Sequence, residues 1–316
     1  MLKVLKVVGV GLLGLFLVGL ALYGWASYAA SRKLSRTYTV HTVNFPIPFP
    51  ASGQDVEGGR LAPEAAALER GRHLVESRYG CGECHGRAFG GGTMIDDPAI
   101  GRILGPNLTG GKGSATAAFV PADWDRIVRH GVKRDGRPAL MPSEDFRQMS
   151  DQELSDIVVF LRAQPPVDRQ VPPPTLGPVG KVLLATGKFR LSADVIGSEG
   201  APHAVTPPVT APTVDFGRHL AATCMGCHRS DLGGGPIVGG DPSWPPAANL
   251  TPDPTGLAGW TFAQFVTALR EGKRPEGTTL RAPMTIMMPY ARKMTEVELE
   301  ALWNYVRSVP PVAARE

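Results

Sequence analysis

All four cysteines of this chain fall into two copies of one pattern, Cys81-Gly-Glu-Cys84-His85 and Cys224-Met-Gly-Cys227-His228. C-x-x-C-H is the signature of covalent haem attachment. Two cysteines three apart on one helical turn can each form a thioether to a vinyl group, and the next residue then projects its imidazole toward the iron. Other readings of the pattern fit less well. A redox C-x-x-C pair needs no following histidine. A zinc site built from both pairs would have to bring together ligands 140 residues apart, whereas zinc ribbons use short spacings. A disulfide closing so small a loop would constrain little. The sequence therefore predicts two covalent haem c groups, on Cys81 with Cys84 and on Cys224 with Cys227.

The repetition extends far beyond these pentapeptides. Gly71-Arg72-His73-Leu74 precedes the first and Gly217-Arg218-His219-Leu220 the second. Asn107-Leu108-Thr109 follows one and Asn249-Leu250-Thr251 the other, and Met141-Pro142 recurs as Met288-Pro289. Met149, Phe160 and Pro165 match Met294, Tyr305 and Pro310 at a constant offset of 145. The chain thus holds two copies of one module.

Each module reads as helical. Ser150-Asp-Gln-Glu153 and Thr295-Glu-Val-Glu298 are capping boxes that open a helix. Behind them Leu154, Ile157, Val158 and Leu161, and Leu299, Leu302, Trp303 and Val306, form one buried face each. Both helices stop before a Pro-Pro pair that cannot continue them. Thr261-Phe-Ala-Gln264 opens another helix, running to Gly272, with a counterpart from about Pro121 to Gly131. The glycine-rich stretches Gly90–Gly92 and Gly233–Gly235 read as loops.

A proximal histidine leaves the sixth iron position to a second ligand, and methionine there suits electron transfer. Met141 lies 56 residues after His85 and Met288 lies 60 after His228, each before a proline in a loop upstream of the last helix. Their recurrence in register makes His85, Met141, His228 and Met288 the expected iron ligands. Met284, Met287 and Met294 are alternatives in the second copy and Met149 in the first; Met149 and Met294 each precede a capping residue, which points to helix-entry packing. His73 and His219 also recur, but on the helix leading into the attachment site, a poor position for reaching the far haem face. His41, His130 and His203 have no counterparts and read as surface residues.

Val7–Ala30 is almost entirely apolar or glycine, and a helix of these 24 residues would reach about 36 Å, enough to cross a bilayer core. Tyr23, Trp25 and Tyr28 gather at one end as interfacial aromatics do. The apolar run exceeds the 7–15 residues typical of a cleaved signal, so it reads as a retained anchor. Five basic side chains and no acid flank it within residues 1–36, and the rest of the chain carries 28 basic against 29 acidic residues. The net charge of +4 therefore gives no electrostatic argument for nucleic-acid binding. The expected organisation is an anchor over 1–36, an extended lead over 37–63, a first domain over 64–167, a proline-rich connector over 168–213 and a second domain over 214–316. The connector's proline runs favour extended, semi-rigid backbone, interrupted by Gly180–Arg190.

With these residues in view, the chain resembles the class I c-type cytochrome family: a leading helix, C-x-x-C-H, a middle helix, a methionine segment and a last helix, in that order. Gly71 and Gly217 on the leading helices, with Phe160 and Tyr305 on the last, resemble that family's small-residue and aromatic helix crossing. Asn249-Leu-Thr-Pro-Asp-Pro-Thr-Gly256, Trp260 and Met288-Pro-Tyr290 resemble the multihaem cytochrome subunits of membrane-bound alcohol and gluconate dehydrogenases. The resemblance implies a mostly α fold of two tandem cytochrome c domains after a transmembrane helix, with two covalent haem c groups and an electron-transfer role rather than an enzymatic one. The implied partners are a membrane-bound respiratory or photosynthetic complex or dehydrogenase and a redox protein donor or acceptor. The implied place is the extracytoplasmic side of the cytoplasmic membrane. Rival readings are a dihaem peroxidase or thiosulfate dehydrogenase, or a structural haem subunit.

Overall fold

A computed structural model describes residues 2–50, 63–197, 203–237, 240 and 243–315. The chain opens with one long helix, α1 (Leu2–Ser35). Its large apolar side chains from Val7 to Leu22 are exposed, while Ala26 and Ala30 near its end are buried. This end of the helix meets α6 (Pro178–Ala185), and Ala30 packs with Leu184 and Leu191 in a small separate core. Lys33 Nζ, 2.9 Å from the Leu184 carbonyl, ties the helix end to the same segment.

In the first module α2 (Pro63–Leu74) crosses the last helix, α5 (Asp151–Arg162). A Cβ on Gly71 would overlap the Asp156 carbonyl oxygen and lie 2.9 Å from Phe160 Cβ, so only glycine lets these backbones approach. In the second module α8 (Val214–Ala221) crosses α12 (Glu296–Ser308), and a Cβ on Gly217 would likewise overlap the Ala301 carbonyl beside Tyr305. The crossing expected from the sequence is present in both copies. Between the crossing helices lie α3 (Cys81–His85) and α4 (Pro121–His130) in one module. In the other lie α9 (Met225–His228), α10 (Phe262–Glu271) and α11 (Met284–Ala291). Ser150 and Thr295 each accept from the backbone N–H three residues on while Glu153 and Glu298 reach back, completing both capping boxes.

Three features depart from the sequence reading. The glycine-rich stretch after the first attachment site leads into an antiparallel hairpin, β1 (Gly92–Asp97) and β2 (Gly101–Gly105), with a bulge between Thr93 and Ile95. The connector supplies a third strand, β3 (Thr175–Leu176), paired to β2, and then folds into α6 and α7 (Ser192–Ile196) instead of staying extended. The lead is packed rather than free: Phe45 is buried in the first core with Ile47 and Phe49 against it, and Val43 N–H donates to Asp125 at 2.7 Å. Residues 51–62 of the expected lead lie outside the described residues.

Candidate functional site

The two attachment histidines are held in the same way. His85 Nδ1 lies 2.9 Å from the Pro106 carbonyl and His228 Nδ1 lies 2.7 Å from the Ala248 carbonyl. A carbonyl only accepts, so Nδ1 carries the proton and Nε2 is left with its lone pair. Burial pushes both imidazoles below the ordinary histidine range, against the raising effect of the carbonyl contact. Each ring is therefore a neutral donor of one nitrogen, as a haem-iron ligand must be.

The carbonyls are aimed by the Asn-Leu-Thr repeats that follow them. Asn107 Oδ1 accepts from Thr109 N–H and Oγ1–H at 2.9 and 2.8 Å, and Asn249 accepts from Thr251 at the same two distances. Asn107 Nδ2 then donates to the Val167 carbonyl at 2.7 Å and Asn249 Nδ2 to the Val312 carbonyl at 2.6 Å. Thr109 and Thr251 accept from the Val167 and Val312 N–H groups, at 2.9 and 3.1 Å. The segment after each Pro-Pro pair is thus pinned back onto the loop that orients the histidine. The sequence showed these residues as a repeat without showing this task.

No disulfide joins the four cysteines, and burial pushes their thiols up: Cys81 to about 12, Cys224 to about 11, with Cys84 and Cys227 also shifted up. In the first core Cys81 borders the cluster that holds Trp124, whose buried Nε1–H has no partner among the described residues. An apolar wall with an unused donor fits an apolar ring that bears carboxylates. The residues present therefore fit haem c.

Met141 lies in the loop just before a short 3-10 turn, Ser143–Asp145, and its carbonyl accepts from Ser143 N–H at 2.8 Å. Met288 does not lie in a loop but on α11, where it is buried, and a Cβ on Gly272 would lie 3.0 Å from its sulfur. Its neighbour Met287 is exposed. Met149 is buried in the first core and Met294 packs against the second, as helix-entry residues.

His73 and His219 face carboxylates of the opposite module. His219 Nε2 lies 2.9 Å from Glu153 Oε1, and His73 Nε2 lies 2.9 Å from Glu298 Oε1. Equivalent residues exchange equivalent partners, the mark of a pseudo-two-fold contact. Tyr290 extends the contact: it donates to Glu83 at 2.6 Å, and a Cβ on Gly80 would lie 3.4 Å from its ring. Reciprocally, Asp145 of the first module lies over Gly226 in the second attachment site, where a Cβ would meet Oδ1 at 2.5 Å. His130, expected at the surface, is buried at 3% exposure because α4 turns it toward Asp125 and His203.

Residues 214–310 match the Cytochrome c family, and residues 66–161 match the family Cytochrome C oxidase, cbb3-type, subunit III. The chain is 27% identical over 277 residues to the cytochrome c subunit of an alcohol dehydrogenase (quinone) from Gluconacetobacter polyoxogenes, covering 79% of this chain and 57% of that one. It is 25% identical to the gluconate 2-dehydrogenase cytochrome c subunit of Pantoea cypripedii, covering 77% and 60%. It is 24% identical to a diheme cytochrome c-type protein of Cereibacter sphaeroides, covering 74% and 83%. The chain spans little more than half the length of the alcohol dehydrogenase subunit. Its two modules are cytochrome c domains, each with one covalently bound haem c.

Proposed function

We propose that this chain passes electrons singly from a dehydrogenase to a downstream redox carrier, with His85 and Met141 as axial ligands in a domain over 64–167 and His228 and Met288 in one over 214–316. The observation that carries this reading is the twice-built carbonyl clamp on Nδ1, which presents Nε2 of both histidines as an iron ligand. Once bound, haem c supplies a ferric–ferrous couple whose potential a thioether ligand raises. The chain's own residues hold that couple in place: the Asn-Leu-Thr loops fix the imidazoles, and burial keeps them neutral. The burial of Met288, against the exposure of Met287, supports its choice among the second-module methionines. The reciprocal His–Glu contacts join the leading helix of each domain to the last helix of the other, and the Tyr290–Glu83 bond reaches the first attachment segment, which suits a relay within one chain. The names of the related subunits support a dehydrogenase as the donor complex.

The same reading places α1 across the cytoplasmic membrane, with both domains on the extracytoplasmic side. Lys6–Ser35 is long and apolar enough to cross, its most apolar 18-residue stretch having mean hydropathy 2.3, and its side chains are bare of protein cover along most of its length. Its docked end would hold the domains at a set height above the lipid.

Replacing one methionine at a time tests the ligands. Met141→His and Met288→His should each remove one sulfur-to-iron charge-transfer band. Each should also lower one midpoint potential by a fraction of the roughly 0.8 V that axial ligands span. A variant that leaves both bands in place refutes that ligand.

A further inference from the structure

We propose that Asp125, His130 and His203 form a binding site for one divalent transition cation of the zinc type, separate from both haem sites. His130 Nε2 and His203 Nε2 face each other at 3.2 Å, and Asp125 Oδ1 lies 3.7 and 3.6 Å from them. A point equidistant from these three atoms lies about 2.0 Å from each, the length of a bond from zinc to imidazole nitrogen or carboxylate oxygen. Two imidazoles and a carboxylate are also the donor types such ions select, unlike the oxygen-only sets of calcium and magnesium.

The surroundings hold these atoms in place. Asp125 is fully buried, with Oδ2 accepting from Val43 N–H and Oδ1 from Arg129 Nε, both at 2.7 Å. Arg129 in turn reaches Asp151 at 2.8 Å, so its charge is divided between two carboxylates. Between the facing Nε2 atoms one nitrogen donates to the other, and the cation takes the position of that shared proton.

The three residues come from different parts of the chain. Asp125 and His130 lie on α4 of the first module, whereas His203 lies in the connector. The adjoining Ala204 and Val205 carbonyls accept from Asp151 and Gln152 N–H at 2.9 and 3.0 Å. A cation here would staple the connector to α4, beside the N-terminus of α5, the helix whose Glu153 meets the second module.

Zinc chloride is the probe, titrated calorimetrically into full-length haem-loaded protein after chelator treatment and dialysis, with bound zinc counted against protein by elemental and amino-acid analysis. The expected result is one zinc per chain, with affinity reduced about a hundredfold in His130→Gln and in His203→Gln and unchanged in His41→Gln. His203→Gln alters only the connector, so it decides the matter if His130→Gln does not fold. Zinc should also raise the unfolding temperature of the parent chain and leave that of His203→Gln unmoved. Failure of the parent chain to bind zinc, or equal binding by His203→Gln, overturns the proposal and leaves a proton-sharing histidine pair.

Discussion

The two modules share their haem-facing parts and differ in what surrounds them. Both have the glycine crossing, the Asn-Leu-Thr clamp and the capping box in the same roles. The first, however, buries α5 on every side from Asp151 to Leu161, whereas α12 buries one face around Leu299, Leu302 and Val306. The cause is wrapping: Phe45 of the lead and the Ala204–Val205 segment of the connector cover the first module. The first module also has three more residues between its leading histidine and its first cysteine, and they are absorbed as a π-helical turn, Val75–Tyr79. That turn brings Arg78 into the contact between modules, where it donates to Glu153 at 2.7 Å and to the His219 carbonyl at 2.6 Å. One half of the pseudo-two-fold contact is therefore a buried charge network and the other a half-exposed ion pair. Duplication kept the chemistry and let the packing diverge.

This asymmetry can be broken from either side. Arg78→Met should have the largest effect, about 3–5 kcal/mol of stability in chemical unfolding, because it leaves Glu153 buried without its guanidinium. Gly217→Ala should cost about 1–3 kcal/mol, since the new Cβ overlaps the Ala301 carbonyl, and Gly71→Ala should cost a similar amount. Asn107→Ala and Asn249→Ala should each cost about 1–3 kcal/mol and loosen one histidine clamp, read as a shift in one midpoint potential. His73→Gln should cost no more than about 1 kcal/mol, because that pair is partly in water. Equal losses from Arg78→Met and His73→Gln would contradict the asymmetry.

The two halves should also respond to opposite ends of the pH scale. Burial alone would raise Glu153, but Arg78 and His219 outweigh it and hold the carboxyl at about 2. Its contribution is complete above the unfolded carboxyl value and is lost as pH falls through about 2. His73 is raised chiefly by its bond to Glu298, against burial. Its contribution is complete below the unfolded histidine value and is lost as pH rises through the raised one. Stability curves of His73→Gln and the parent chain should therefore converge on the alkaline side.

Much of this was legible in the sequence because it is local. The attachment pentapeptides, the capping boxes and the long apolar helix each depend on residues a few positions apart or on a repeat, whereas the Gly71 and Gly217 crossings were implied by the family resemblance. The long-range contacts were not legible. Nothing near His130 in the chain announces His203, and nothing near His73 announces Glu298, since each pair meets only after the modules and connector fold. The β1–β2 hairpin escaped because its strands are short, bulged and glycine-flanked, with no clean alternation to read. Met288 was expected in a loop because proline follows it, yet Pro289 is accommodated inside α11.

The most direct test of the central claim is magnetic circular dichroism in the near-infrared on the oxidised, purified chain, combined with a haem count after acid–acetone extraction. Two haem groups per chain should resist extraction, both low-spin with the histidine–methionine signature. A single retained haem, a high-spin iron or a bis-histidine signature in either module would contradict it.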